Sequence, residues 1–242
     1  MPLCNKSGES WNKCTEEYSI YPELTRPVFP VMPQKNSHSG PGRPKDPAKR
    51  EAILSAAKSL FLQRGFEGCS MDAIATDAGV SKLTVYSHFS DKETLFSEVV
   101  KSKCKEELPE LLFDLSGETP INETLCDIGR AFFDLVMSPE TIEMHRVMIA
   151  GANKDPRLSR LFFEAGPQRV LREMEHLLLS AQERGLLSLP DLPLAAEQFF
   201  TLIKGSHHFR TLLGCCEPMD EEETDRHVRQ SVELFLKAYQ RA

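Results

Sequence analysis

No apolar run in this 242-residue chain approaches the roughly 20 residues that a helix needs to cross a bilayer, which excludes a helical membrane span and makes a membrane partner unexpected. The N-terminal stretch also lacks the continuous apolar segment that directs export, because Trp11, Glu16, Glu17 and Tyr18 interrupt it. Cysteine is present but unorganised. Cys4, Cys14, Cys69, Cys104, Cys126, Cys215 and Cys216 are odd in number and scattered, with no CxxC spacing. That argues against a disulfide framework and for a reducing cytoplasm. The adjacent pairs His207-His208 and Cys215-Cys216 point to opposite sides of the chain and match no common zinc spacing, so no metal is expected. Gly-rich phosphate loops, a nucleophile elbow, HExxH and usefully framed carboxylate pairs are missing too. The sequence therefore gives no reason to expect an enzyme or a bound cofactor.

Charge of one sign is unevenly spread. The formal net charge is −7, yet residues 41–105 hold eleven Lys/Arg against eight Asp/Glu, a balance of +3. Residues 106–242 hold fourteen against twenty-four, a balance of −10. A mildly basic unit on an acidic body would orient the protein on a polyanion. A sequence-neutral architectural DNA binder would be basic throughout, and this chain is not.

The prolines organise what remains. Residues 1–40 carry Pro2, Pro22, Pro27, Pro30 and Pro33 with no sustained periodicity, and are expected to be a poorly ordered leader. Met32 is an alternative start, because it runs straight into a basic arm at 41–46 that contains Arg43 and Lys45. From Asp46 the punctuation sharpens. Asp46-Pro47 gives an N-cap followed by proline in the first turn, and Ile53, Ala57, Leu60 and Phe61 form an apolar helical stripe. Gly65 ends that helix, with Phe66 placed to pack back on it. Ser70 caps a short helix over 71–78, Gly79 supplies a tight turn, and Ser81 caps a third helix through about His88. Ser90 or Asp91 caps a fourth, with Leu95, Phe96 and Val99 as its apolar face. Further prolines cut the rest into helices predicted at 120–137, 139–151, 156–165, 167–186, 192–213 and 219–240. No stretch alternates with period two between turn signals, so the chain is all-α.

Two short helices joined by a glycine turn, over about 70–89, make a helix-turn-helix pattern. Val85 and Phe89 would hold the second helix on the core, turning Lys82, Leu83, Tyr86 and Ser87 outward. Lys82 can reach guanine O6 and N7 in a major groove. Thr84, Tyr86 and His88 can donate to phosphate oxygens, and the helix starts at Ser70 and Ser81 add backbone donors. Arg43, held between Gly42 and Pro44, suits insertion into a narrow minor groove; the alternative is a solubilising linker.

The run from Gly68 to Phe96, GCSMDAIATDAGVSKLTVYSHFSDKETLF, resembles the TetR/AcrR family of transcriptional regulators. It carries that family's aromatic-x-His-Phe as Tyr86 to Phe89 and its Lys-Glu-x-Leu-Phe as Lys92 to Phe96. The resemblance implies that Ser70, Ser81, Lys82, Leu83, Tyr86, Ser87, His88 and Lys92 lie where family members meet DNA. Leu83 departs from the glycine that members often carry there; a leucine could touch a thymine methyl or hinder close approach. Two later stretches, His145 to Gly151 and Phe162 to Arg169, more loosely resemble the branch with an AefR-like C-terminal domain.

The implied organisation is an N-terminal three-helix helix-turn-helix domain over 47–107 and a C-terminal helical ligand-binding and dimerisation domain over 108–242. Phe132, Phe133, Met137, Met144, Met148, Phe162, Phe163 and Met174 are candidate walls of an effector cavity, with His145 and His207 as polar anchors. Ordinary core packing is the alternative for each of them. The wide apolar stripes over 192–213 and 219–240 must be covered on two sides. They nominate Phe199, Phe200, Ile203, Val228, Val232 and Phe235 for a two-fold dimer interface. The expected function is a sequence-specific regulator, by family resemblance a repressor, that leaves a palindromic double-stranded operator when a small apolar or amphipathic effector binds. An activator of the same fold, or a regulator without ligand gating, is the alternative.

Overall fold

The computed structural model describes residues 46–115, 117 and 119–240 of the chain, and they contain helices but no strand. The leader and the basic arm with Arg43 and Lys45 lie outside the described residues. The helices are α1 (Pro47–Arg64), α2 (Met71–Asp77), α3 (Lys82–His88), α4 (Lys92–Glu107), α5 (Ile121–Met137), α6 (Pro139–Gly151), α7 (Pro156–Ala165), α8 (Pro167–Glu183), α9 (Leu192–Leu212) and α10 (Glu221–Tyr239), with a 3-10 turn at Glu110–Phe113 before α5.

Local chemistry sets most of these starts. The side chains of Asp46, Ser70, Ser81, Asp91, Ser138, Asp155 and Asp191 each accept a backbone N–H of the helix that follows. Proline stands in the first turn of α1, α6, α7, α8 and α9, where its missing N–H leaves no helical bond unmade. At α10, Asp220 Oδ1 accepts from the Glu223 amide at 2.8 Å, and the Glu223 carboxylate accepts from the Asp220 amide at 3.2 Å. This reciprocal cap moves the start from the expected 219 to Glu221. The expected end of α8 at 186 also moves, because the chain turns through Arg184 and Gly185.

One feature of α9 has no counterpart in the periodicity. Gly205 sits at φ 53°, ψ −165°, breaking the helix in its middle. A side chain there would be strained at that φ and would approach His227 Cε1 at 3.1 Å. The Ile203 carbonyl beside the kink accepts from His227 Nε2 at 2.7 Å, so α10 replaces the helical bond that the kink costs. A carbonyl only accepts, which fixes the proton of His227 on Nε2.

Two apolar cores result. One joins α5, α8, α9 and α10 around Leu125, Ile128, Met174, Leu177, Phe199 and Phe235. The other joins α1 to α4 around Ile53, Phe61, Ile74, Val85, Phe89, Leu95 and Phe96. It does not stop at 107: Met148 of α6 and Leu158 and Ala165 of α7 are part of it. Helices assigned by sequence order to the body therefore complete the core of the head.

The dimer expectation needs correction at the level of residues. Phe199, Phe200, Ile203, Val228, Val232 and Phe235 are all buried within the chain itself. Burial of α9 against α5, α8 and α10 already covers those faces, so no second copy is needed to keep them dry. The apolar side chains that α9 and α10 leave exposed are Leu194, Phe209 and Leu234, with Leu213 just past the end of α9.

Candidate nucleic-acid interface and effector cavity

The helix-turn-helix is built by short helices that side chains must close. Ser70 Oγ accepts from the Ala73 amide at 3.1 Å, and Ser81 Oγ accepts from the Thr84 amide at 3.1 Å. Gly79, at φ 66°, turns the chain between α2 and α3, and the Val80 amide donates back to the Ala75 carbonyl at 3.0 Å. Val85 and Phe89 are buried, as the spacing requires. The opposite face of α3 is open: Lys82, Leu83, Tyr86 and Ser87 are exposed, Leu83 at 80%. A leucine that exposed is available to an apolar partner such as a thymine methyl.

Lys82 is not idle in the free protein. Its Nζ lies 2.8 Å from Asp72 Oδ1 on α2 and 6.0 Å from the centre of the Tyr86 ring. The Asp72 carboxylate, by hydrogen bond and charge, holds the ammonium above its usual range. This pair poises Lys82 over the face that α3 presents, and phosphate or a base edge must compete with Asp72 for it. Nothing in the spacing of Asp72 and Lys82 announces the contact, because it crosses between helices.

Thr84 and Ser81 share a hydroxyl–hydroxyl bond of 2.8 Å, and Ser87 donates to the Thr84 carbonyl at 2.7 Å. These hydroxyls brace the recognition helix. His88 is half-buried, with its ring 6.2 Å from that of Phe89. Lys92, expected at the DNA side, is engaged inside the head. Its Nζ donates to the carbonyls of Phe66 and Cys69 at 2.9 and 3.1 Å and sits 4.1 Å from the Phe66 ring. It ties the α1–α2 loop to the start of α4, because those carbonyls have no helical partner and an ammonium satisfies them.

Where the head meets the body lies a cavity of about 550 Å³. Its wall takes residues from α1, α4, α5, α6, α7, α8 and α9. Phe132, Met144, His145, Met148, Phe162 and Phe163 line it as expected. Phe133, Met137, Met174 and His207 do not. Met174 is fully buried and Met137 partly buried in the core of the body; Phe133 is buried there as well. His207 packs beside Phe133, with ring centres 6.4 Å apart, whereas the neighbouring His208 lines the cavity. A stripe of Phe and Met marks a helix face that is buried, and only the tertiary arrangement decides whether a space or a neighbour faces it.

Polar groups at this wall were not legible in advance. Lys58 Nζ lies 2.6 Å from Glu140, and Lys103 reaches the same carboxylate at 3.5 Å, so one glutamate of α6 bridges α1 and α4. Both lysines help hold Glu140 below the usual carboxylate range. His145 Nδ1 and His208 Nε2 are 3.3 Å apart, linking α6 to α9. Burial, then the neighbouring His208 and Lys204, push His145 down to about 4. Burial and Lys204 lower His208 as well. Arg146 caps the end of α9 by donating to the Thr211 and Leu212 carbonyls at 2.9 and 3.0 Å.

A capped pair of short helices with an open recognition face, set on a helical body with a cavity, defines a helix-turn-helix DNA-binding regulator. Residues 53–99 match the model of the bacterial regulatory proteins of the tetR family, and residues 123–241 match the C-terminal domain of AefR-like transcriptional repressors. A TetR-family transcriptional regulator from Mesorhizobium loti superposes with a TM-score of 0.68 at 34% identity, covering 80% of this chain and 97% of its own. The flavonoid-responsive regulator FrrA superposes with a TM-score of 0.66 at 33% identity, over 81% of this chain and all of its own. The transcriptional repressor BdcR of Escherichia coli is 34% identical over 97 residues, 40% of this chain and 49% of BdcR. The chain also spans less than two thirds of the Bacillus subtilis regulators YdeS (34%) and YhgD (64%). The chain belongs to the TetR family and is a DNA-binding transcription regulator. Among the described residues, no helix is long and apolar enough to cross a membrane.

Proposed function

We propose that this regulator is a repressor that grips a palindromic operator as a homodimer and lets go when a small apolar or amphipathic effector enters the cavity. The observation that carries this reading is the membership of the cavity wall. Leu62 of α1 and Val99, Val100 and Cys104 of α4 face the same space as Met144, Phe162 and Phe200 of the body. A ligand there touches both parts at once. Its contacts must differ between the arrangement of α4 that fits DNA and the one that does not, which is the condition for shifting that equilibrium. The α4 helix begins at Lys92, three residues after Phe89 at the end of α3, and Lys92 fastens it to the α1–α2 loop, so a displaced α4 carries the head with it.

The two heads of a dimer meet successive major grooves about one helical turn apart. The exposed side chains of Leu194, Phe209, Leu213 and Leu234 supply the surface for pairing, in place of the buried residues of the same helices. Two relatives lend support: BdcR is a transcriptional repressor and FrrA is a flavonoid-responsive regulator.

The experiment is fluorescence anisotropy of the purified chain on the DNA upstream of its own gene, with and without a panel of apolar and amphipathic compounds. Saturable, salt-sensitive binding that at least one compound reverses is the expected result. Binding that no compound alters would remove the gating. Sedimentation showing only monomer at micromolar concentration would remove the dimer.

A further inference from the structure

We infer that the cavity selects effectors with an anionic head group, an apolar weak acid whose carboxylate or phenolate docks between Lys204 and the His145–His208 pair. This rests on the cavity being an effector site. The cavity wall holds three lysines and two glutamates. Lys58 and Lys103 are neutralised by Glu140, and Lys103 also by Glu107 at 2.9 Å. Lys204 is the remaining one, and among the described residues no carboxylate lies within ion-pair distance of it. It is half-buried, so it keeps its charge at the edge of an otherwise apolar space. Such a cation attracts an anion more strongly than one on an open surface, because water screens it less.

The imidazole pair adds direction. The two rings share one hydrogen bond, and each neutral ring has one donor and one acceptor. Whichever ring donates, one N–H and one bare nitrogen remain for a ligand. Lys204 faces them from α9; Glu197, exposed two turns earlier on α9, is the carboxylate that shares this wall. On α6, Arg146 is already engaged by Glu143 and by the end of α9, and Glu140 by the two lysines. From α7 the edge of Phe162 packs on His145 with ring centres 5.7 Å apart. A bound anion beside the pair therefore meets Lys204, the charge that acts on both rings, and favours protonation of the pair, so binding takes up protons. A cationic ligand meets Lys204 as a like charge, and a neutral one gains nothing from it.

The test is isothermal titration of the full chain with phenylhexanoate and naphthylpropanoate, each beside its primary amide and its matching amine. In at least one series the acid is expected to bind about tenfold or more tighter than the amide, with the amine weakest. Lys204→Met, at a half-exposed site, should erase the acid's advantage and leave the amide unchanged. Affinity for the acid should rise as pH falls from about 6.5 towards the folded His145 value of about 4, until the carboxylate ligand itself takes up a proton, and His145→Phe should flatten that rise. Equal binding of acid and amide in both series, or no binding of either acid, would overturn the inference. Amides that release DNA as well as acids do would overturn it while leaving effector gating standing. Acid binding that depends on Lys204 but leaves the DNA complex intact would uphold the head-group assignment and count against gating.

Discussion

The reading head and the body solve the problem of a helical core in different ways. In the head, Phe61, Phe66 and Phe96 interlock with ring centres 5.4 to 5.7 Å apart, and short helices are closed by side-chain caps. In the body, longer helices pack on one another but leave about 550 Å³ open where they reach the head. The contrast teaches where stiffness and give belong. On the proposed function, a surface that reads bases must hold its side chains to within a fraction of an ångström, whereas a site that reports a ligand must have two arrangements close in free energy.

The comparison breaks most readily in the head. Phe96→Ala removes the ring that touches both Phe61 and Phe66, and is expected to lower the unfolding free energy by about 3–5 kcal/mol in urea titrations. A loss under 1 kcal/mol would mean the head is as pliant as the body.

Acid tests the body next. His145 has a folded value of about 4 against an ordinary 6.5, so the unfolded chain takes up its proton first. The stability it confers is complete above pH 6.5 and falls away towards pH 4, by up to about 3 kcal/mol in total. Glu98 and Glu140, whose values lie below 4.5, lose theirs in a lower window. Denaturant melts across the pH range should show the His145 component, and His145→Phe should remove it.

On the DNA side, Lys82→Ala and Tyr86→Ala should each weaken operator binding by about 1–3 kcal/mol without moving the unfolding midpoint. Undiminished affinity in both would misplace the recognition face. The smallest effect belongs to a cap. Ser81→Ala should cost about 1 kcal/mol of stability, because the Thr84 amide loses its acceptor.

Much of the fold was legible because helix boundaries here are local events. Asp46-Pro47, Ser138-Pro139 and Asp155-Pro156 each place an N-cap before a proline, and the chain begins a helix at each. The outward face of α3 was legible for the same reason, since Val85 and Phe89 bury one side and leave Lys82, Leu83 and Tyr86 on the other. What was not legible needed partners far along the chain. The resemblance puts Lys92 near DNA, and what it could not show is that carbonyls 26 and 23 residues earlier hold the ammonium. Phe199 and Phe235 read as an interface because a stripe records only that a face is covered. The structure covers them with each other, ring centres 5.4 Å apart.

The sequence by itself determined the helices, their caps and the outward face of α3, because those depend on neighbours within a turn or two. Tertiary structure alone decided that α6 and α7 complete the head's core, that Gly205 kinks α9 onto His227, and that His145 meets His208 at the wall of a cavity. Each of these depends on groups 20 to 60 or more residues apart, and no period or spacing along one helix carries the position of another.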